Sequence, residues 1–173
     1  MVKERLVLGS AGKKDPRGVT LDVDPRHAPD VVHDLNEAPY PFQDNQFKEI
    51  VCHHVLEHLQ GIDTVMRELH RICTGEGVIH IEVPHYTSWC ANIPEHVLRF
   101  GYFGFDGYIN NGVNIWLNSE RKFKLIKREI TFHRLYRTFF LHKLFNCFPL
   151  MYERFFAYIF PAEHFKIWLQ PIK

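Results

Sequence analysis

Three features of the 173-residue chain predict an α/β fold built on a mainly parallel sheet. Short, almost wholly apolar runs recur between turn signals, as strands buried on both faces require. One stretch with three- and four-residue apolar spacing separates two of these runs, the pattern of a crossover helix. The end of the chain alternates apolar and polar residues, as an antiparallel closing strand does.

In order, "RLVLG" at 5–9 reads as a first strand ending in glycine, and "GVTLDVDP" at 18–25 as a second, closed by Pro25. "DVVHDL" at 30–35 reads as a third, "PYPFQDNQF" at 39–47 as a Pro-punctuated loop, and "EIVCHH" at 49–54 as a fourth strand. Leu56, Leu59, Ile62 or Asp63, Val65–Met66, Leu69 and Ile72–Cys73 then follow helical spacing, with Gly75 and Gly77 as the stop. "VIHIEVP" at 78–84 is the fifth strand. Residues 85–119 are rich in Gly, Asn and aromatics, with a helix expected around 94–104. "KFKLIKREITFH" at 122–133 and "EHFKIWLQPI" at 163–172 read as strands six and seven, the latter placing Phe165, Ile167 and Leu169 opposite His164, Lys166 and Trp168. The expected architecture is a Rossmann-like, doubly wound, seven-stranded sheet with an antiparallel last strand. It forms one domain over 1–173.

Composition excludes little. Hydrophobic residues are 46% and charged residues 24%, ordinary for a globular chain. The net charge of +1 conceals an asymmetry: residues 1–119 carry 10 Lys+Arg against 16 Asp+Glu, while 120–173 carry 11 against 4. The four cysteines form no C-x-x-C pair, and Cys52 and Cys73 lie in apolar segments where a free buried thiol is expected. No signal peptide pattern opens the sequence, and no run of about 18 apolar residues predicts a membrane span. A cytoplasmic protein is the expectation, with room for peripheral membrane contact.

In an open parallel sheet, ligands bind at the carboxyl ends of the strands. Here those ends carry Gly9 and Gly12, which let backbone approach a ligand, then Asp22, Asp34-Leu35 and His53-His54. The segments "LVLGSAG", "VTLDVDP", "VVHDLNEAPYPFQDNQFKEIVCHHVLEHL", "VMRELHRICTGEGVIHIEVPH" and "PEHVLRF" resemble, in order and spacing, the class I S-adenosylmethionine-dependent methyltransferases, in particular the compact type 11-like group. The resemblance covers residues 5–105. It implies S-adenosylmethionine as cofactor, with Gly9, Ser10 and Ala11 along its methionine portion, Asp22 at the ribose, Asp34 and Leu35 at the adenine, His53 below the sulfonium, and Val23 also in the cofactor site. Residues 1–84 would form the cofactor-binding half and 85–121 the acceptor-binding cover. A strand-end carboxylate that caps a turn is the plainer reading of Asp22.

The sequence departs from the family twice. Ala11 stands where the second glycine is usual, and only residues 10–18 separate the first two strands, so a loop is expected in place of the crossover helix. Lys13 and Lys14 follow at that loop.

Catalytic assistance, where an acceptor proton must leave, would come from His85, Tyr86 or His96 after strand five. Each reads equally as a packing residue. "HVLEH" at 54–58 is the H-x-x-E-H pattern of one zinc protease group. That chemistry needs both histidines on one helix side and a third ligand, and none is recognisable; no metal site is expected, and a zinc hydrolase using His54, Glu57 and His58 is a distant alternative. A non-catalytic protein of the same fold, acting as cofactor sensor or partner subunit, is the nearer one.

Between strands six and seven, residues 132–160 hold 11 Phe/Tyr and one acidic side chain. Helices broken near Pro149 are expected there, as an apolar lid, a dimer surface or an interfacial element with Arg134, Arg137, Lys143 and Arg154 near anionic headgroups. The last reading suits an amphiphilic or small-molecule acceptor. Nucleic acid is not expected as a partner, because aromatics outnumber the cations a backbone-tracking groove needs.

Overall fold

Seven strands join in one sheet of order β3-β2-β1-β4-β5-β7-β6 in the computed structural model, which describes residues 4–110 and 122–173. They are β1 Arg5–Leu8, β2 Gly18–Asp22, β3 Val31–Val32, β4 Phe47–His53, β5 Cys73–Pro84, β6 Phe123–Phe132 and β7 Ala162–Pro171. Pairs within β1–β5 are parallel, and β7 runs antiparallel between β5 and β6. This is the predicted winding.

The first crossover is a loop, residues 9–17, as its length requires. Asp15 folds it back: its carboxylate meets Arg5 Nε at 2.8 Å, and its carbonyl accepts from Gly18 N. The second crossover holds only a 3-10 turn, Pro25–His27. Helical cover of the sheet is therefore thinner than a doubly wound fold usually carries. Where it exists it is apolar: α1, Asp63–Ile72, turns Val65, Met66, Leu69 and Ile72 into one core with Leu6, Leu8, Ile50, Cys52, Ile79 and Ile81. The opposite face bears a half-buried polar ladder, in which His80 stacks on Trp168 at 4.4 Å and Lys166 meets Glu82 at 2.9 Å.

Four expectations are corrected. The helix predicted from Leu56 onward is a 3-10 turn, Leu56–His58, separated from α1 by extended Leu59 and by Gly61. Leu59 is buried, so it satisfied the apolar spacing without being helical. Gly75 and Gly77 do not stop that helix, since β5 starts at Cys73 and they lie in a bulge where Phe47 pairs Cys73 but Glu49 pairs Val78. A Cβ at Gly77 would stand 2.6 Å from Cys73 Sγ and 3.0 Å from the Lys48 carbonyl, so the close approach demands glycine. Finally, 94–104 holds no helix: Pro94, Gly101 and Gly104 interrupt it, and 3-10 turns Trp89–Asn92 and Asp106–Tyr108 flank it. The strand predicted at 30–35 is reduced to Val31–Val32. The last part of the 85–121 cover, residues 111–121, lies outside the described residues.

The aromatic insertion forms α2 Arg134–Thr138, α3 Leu141–Cys147 and α4 Pro149–Met151, the last running into a π-helical turn, Tyr152–Phe156. The break falls at Phe148–Pro149, as predicted. Phe145 and Tyr152 pack on Phe132 at 5.6 and 5.3 Å. No helix of the described residues is long and apolar enough to cross a membrane.

Candidate functional site

Register brings the predicted strand ends level. Leu8 pairs with both Leu21 and Cys52, so Gly9, Asp22 and His53 follow side by side along one edge of the sheet. Gly9 turns the chain there with φ +64°, and its N–H donates to the Leu21 carbonyl at 2.9 Å. A Cβ on it would meet Val55 at 2.7 Å. Ser10 is buried, and Ala11 takes a left-handed φ of 46°, a conformation glycine would hold with less strain.

Asp22 organises this edge. Its Oδ2 accepts from Ala11 N at 2.8 Å, and its Oδ1 accepts from Asp24 N at 3.0 Å with His27 Nδ1 at 3.2 Å. Burial pushes the Asp22 carboxyl up, but these bonds outweigh it and hold it below the usual carboxylate value. The turn-capping reading is thus realised, and it does not exhaust the group. A carboxylate has about four acceptor positions, and His27 is half-exposed and able to swing aside. Val23 beside it is 61% exposed, an apolar surface left open at the same edge. The edge thus offers spare acceptor positions beside an open apolar surface.

Asp34 caps its own turn, its Oδ1 accepting from Asn36 N at 2.8 Å, while Leu35 is buried and its carbonyl accepts from Tyr40 Oη. His53 Nε2 lies 3.0 Å from His80 Nδ1. Burial lowers the pKa of His53, and burial with its His53 neighbour pushes His80 down to about 4, so both rings are neutral at pH 7. Lys14 turns away from the loop to the Ala28 carbonyl.

The three candidate bases do not converge. His85 is fully buried, with Nδ1 2.7 Å from Thr87 Oγ1 and Nε2 3.1 Å from Glu153 Oε1, and Tyr86 packs on it at 4.4 Å. Burial, then hydrogen bonding to Glu153, raises the pKa of Tyr86. Both nitrogens of His85 are engaged, so in this arrangement it positions rather than accepts a proton. His96 belongs to another cluster, its ring 4.6 Å from that of His58.

Glu153 was not anticipated. Its Oε1 also accepts from Tyr102 N at 2.6 Å, so it ties the aromatic insertion to the end of β5. Burial raises its carboxyl, but His85 and Tyr102 outweigh that and hold it low. Its being the lone acid among 11 aromatics was the available signal. Glu82, level with His53 in the register, was likewise missed.

The H-x-x-E-H pattern is corrected on geometry. His54 follows β4 with a left-handed φ of 52°, so no helix of the described residues carries both histidines. Among the described residues three groups bring three donor atoms within 4.8 Å of one another: His53, His80 and Glu82; His54, Glu82 and His164; Glu57, His58 and His96. His54 and His58 fall in different groups.

Residues 15–81 match the family model described as a methyltransferase domain. Comparison with curated proteins finds no match. Among solved structures, the chain is similar to one from the complex between the Haloferax volcanii Trm112 methyltransferase activator and a methyltransferase (TM-score 0.63, 14% identity, 99% of this chain and 84% of that one). It is also similar to S-adenosylmethionine-dependent methyltransferases from Archaeoglobus fulgidus (0.61, 14%, 96% and 85%) and Mesorhizobium loti (0.58, 12%, 96% and 90%). Such identities speak for the fold. The chain therefore has the fold of the class I S-adenosylmethionine-dependent methyltransferases, and its residues 15–81 match the methyltransferase-domain family model.

Proposed function

We propose that the protein transfers a methyl group from S-adenosylmethionine to an amphiphilic acceptor. The observation that carries this reading is the level alignment of Gly9, Asp22 and His53 at the carboxyl ends of adjacent strands. Gly9 to Ala11 would follow the methionine portion, Asp22 would accept from ribose hydroxyls as His27 yields, and Val23 with Asp34 and Leu35 would receive the adenine. When bound, the cofactor supplies an electrophilic methyl on a sulfonium, whose displacement by an acceptor lone pair leaves the thioether. The chain's own contribution is positioning, which supplies much of the acceleration in such displacements. His53, neutral at this edge, adds no positive charge beside a sulfonium.

The acceptor class is inferred from the insertion. Glu153 docks it at the end of β5. Leu141, Leu144, Phe145, Phe148, Met151 and Phe156 line an apolar cavity of about 220 Å³ there. Phe139, Phe140, Leu150 and Phe155 are exposed, with Arg134, Arg137, Lys143 and Arg154 among them in sequence. An amphipathic surface of this kind suits peripheral contact with an anionic membrane.

The test incubates the protein with methyl-labelled S-adenosylmethionine and either vesicles containing anionic lipid or detergent-dispersed amphiphiles. Label in the organic extract that falls at least tenfold in Asp22→Asn supports the reading. Label confined to water-soluble acceptors would reject the amphiphile, and cofactor binding with no label in any fraction would favour a non-catalytic member of the fold.

A further inference from the structure

The Leu56–His58 turn buries a carboxylate. Glu57 is 1% exposed; its Oε1 lies 3.2 Å from His54 Nδ1, while its Oε2 is buried with no hydrogen-bond partner among the described residues. An oxygen so buried is costly to leave unmet and calls for an explanation. His96, 8% exposed, presents a second buried atom of this kind, its Nδ1.

Both segments are held together by backbone. The Glu57 carbonyl accepts from Val97 N at 2.8 Å and Leu98 N at 3.0 Å, seating residues 96–98 on the turn. The open ring nitrogens follow from the remaining contacts. His58 Nδ1 donates to the Glu95 carbonyl at 3.1 Å, which leaves its Nε2 with the lone pair. In His96 the unpartnered Nδ1 is the nitrogen left open to a ligand. Glu57, His58 and His96 each bring one ligand atom within 4.8 Å of those of the other two.

We infer that Glu57, His58 and His96 form a divalent transition-metal site, with zinc the metal its donors favour. Two neutral imidazoles and a carboxylate make a three-ligand set that leaves a fourth position open. Tetrahedral bonds of about 2.0–2.1 Å would hold the donors about 3.3 Å apart. The closure required falls to His58, the exposed member of the three. His54, bonded to Oε1, orients the carboxylate so that Oε2 ligates, the outer-shell arrangement metal sites commonly use. The metal would pin the segment after β5 to the end of β4. None of this uses the residues assigned to the cofactor, so either reading can fail alone.

The experiment uses the full chain with its affinity tag removed, stripped with chelator and titrated with zinc chloride by calorimetry, with cobalt added in parallel for its visible spectrum. One equivalent per chain is expected, with tetrahedral cobalt bands. His58→Gln, His96→Gln and Glu57→Gln should each weaken binding at least about tenfold, as loss of even outer-shell partners does, whereas His53→Gln and His164→Gln should leave it within about twofold. Where substitution of the buried pair impairs folding, exposed His58 decides the matter. Absence of binding in the folded protein, binding that survives His58→Gln, or binding lost instead in His53→Gln or His164→Gln overturns the assignment.

Discussion

Replacing Glu68 by glutamine tests how the fold holds the loop before β4. Glu68, on α1 and 8% exposed, receives Arg71 Nε at 2.9 Å, Arg71 Nη2 at 2.6 Å and Tyr40 N at 2.7 Å. Arg71 in turn donates to the Tyr40 and Phe42 carbonyls at 3.0 and 2.8 Å. The pair is therefore a clamp on residues 40–44, which explains the E-x-x-R spacing. Glutamine keeps the shape but offers one acceptor oxygen and an NH₂, so one of the three donors meets another donor. Losing a charge-assisted bond costs about 1.5–3 kcal/mol. Arg71 keeps its carbonyls and is a quarter exposed, so about 2 kcal/mol is expected at pH 7. Urea unfolding should show a lower midpoint with unchanged slope. The pH dependence supplies a second check. Hydrogen bonding from Arg71 holds the Glu68 carboxyl below its ordinary value of 4.5 despite burial. Its contribution is full above that value and is lost as pH falls through the lower folded pKa. Wild type and variant should thus converge below pH 4.5. A difference under about 0.5 kcal/mol at pH 7, or one that widens on acidification, would refute the clamp.

Further outcomes follow from the same geometry. Gly9→Ala adds a Cβ 2.7 Å from Val55 at a left-handed φ, so thermal melts should show about 2–4 kcal/mol of destabilisation; a variant as stable as wild type would mean the loop is not held as described. Glu153→Gln should free the insertion from His85 and Tyr102 and raise proteolytic cleavage within 134–160 ahead of global unfolding; unchanged cleavage would contradict its tethering role. Phe139→Ser with Phe148→Ser should weaken flotation with anionic vesicles at least several-fold, and equal flotation would remove the membrane surface from the account.

The sheet was legible because burial on both faces leaves runs such as "RLVLG" and "VIHIEVP" with little else to be, and because alternation in β7 records one buried face. The short first crossover followed from counting residues. Where sequence reading erred, one local signal had two causes. Leu59 kept the helical apolar spacing while extended, because a buried side chain satisfies a stripe whatever its backbone does. Gly77 resembled a helix stop, though its lack of a side chain serves a bulge against Lys48. The strand-end residues were found from winding alone, since register sets Gly9, Asp22 and His53 level. The pairing of Glu153 with His85 and the approach of His96 to Glu57 were invisible. They join side chains 68 and 39 positions apart, and periodicity reports burial along one element, never which distant element supplies the partner.

The central claim is that the edge organised by Asp22 binds the cofactor. Titration of the folded protein with S-adenosylmethionine and S-adenosylhomocysteine by calorimetry, with Asp22→Asn beside it, addresses this directly. Binding of both with one site per chain, weakened at least about tenfold by the substitution while the circular dichroism spectrum is kept, is the predicted result. Absence of binding in the folded wild type, or binding indifferent to Asp22, would contradict the account.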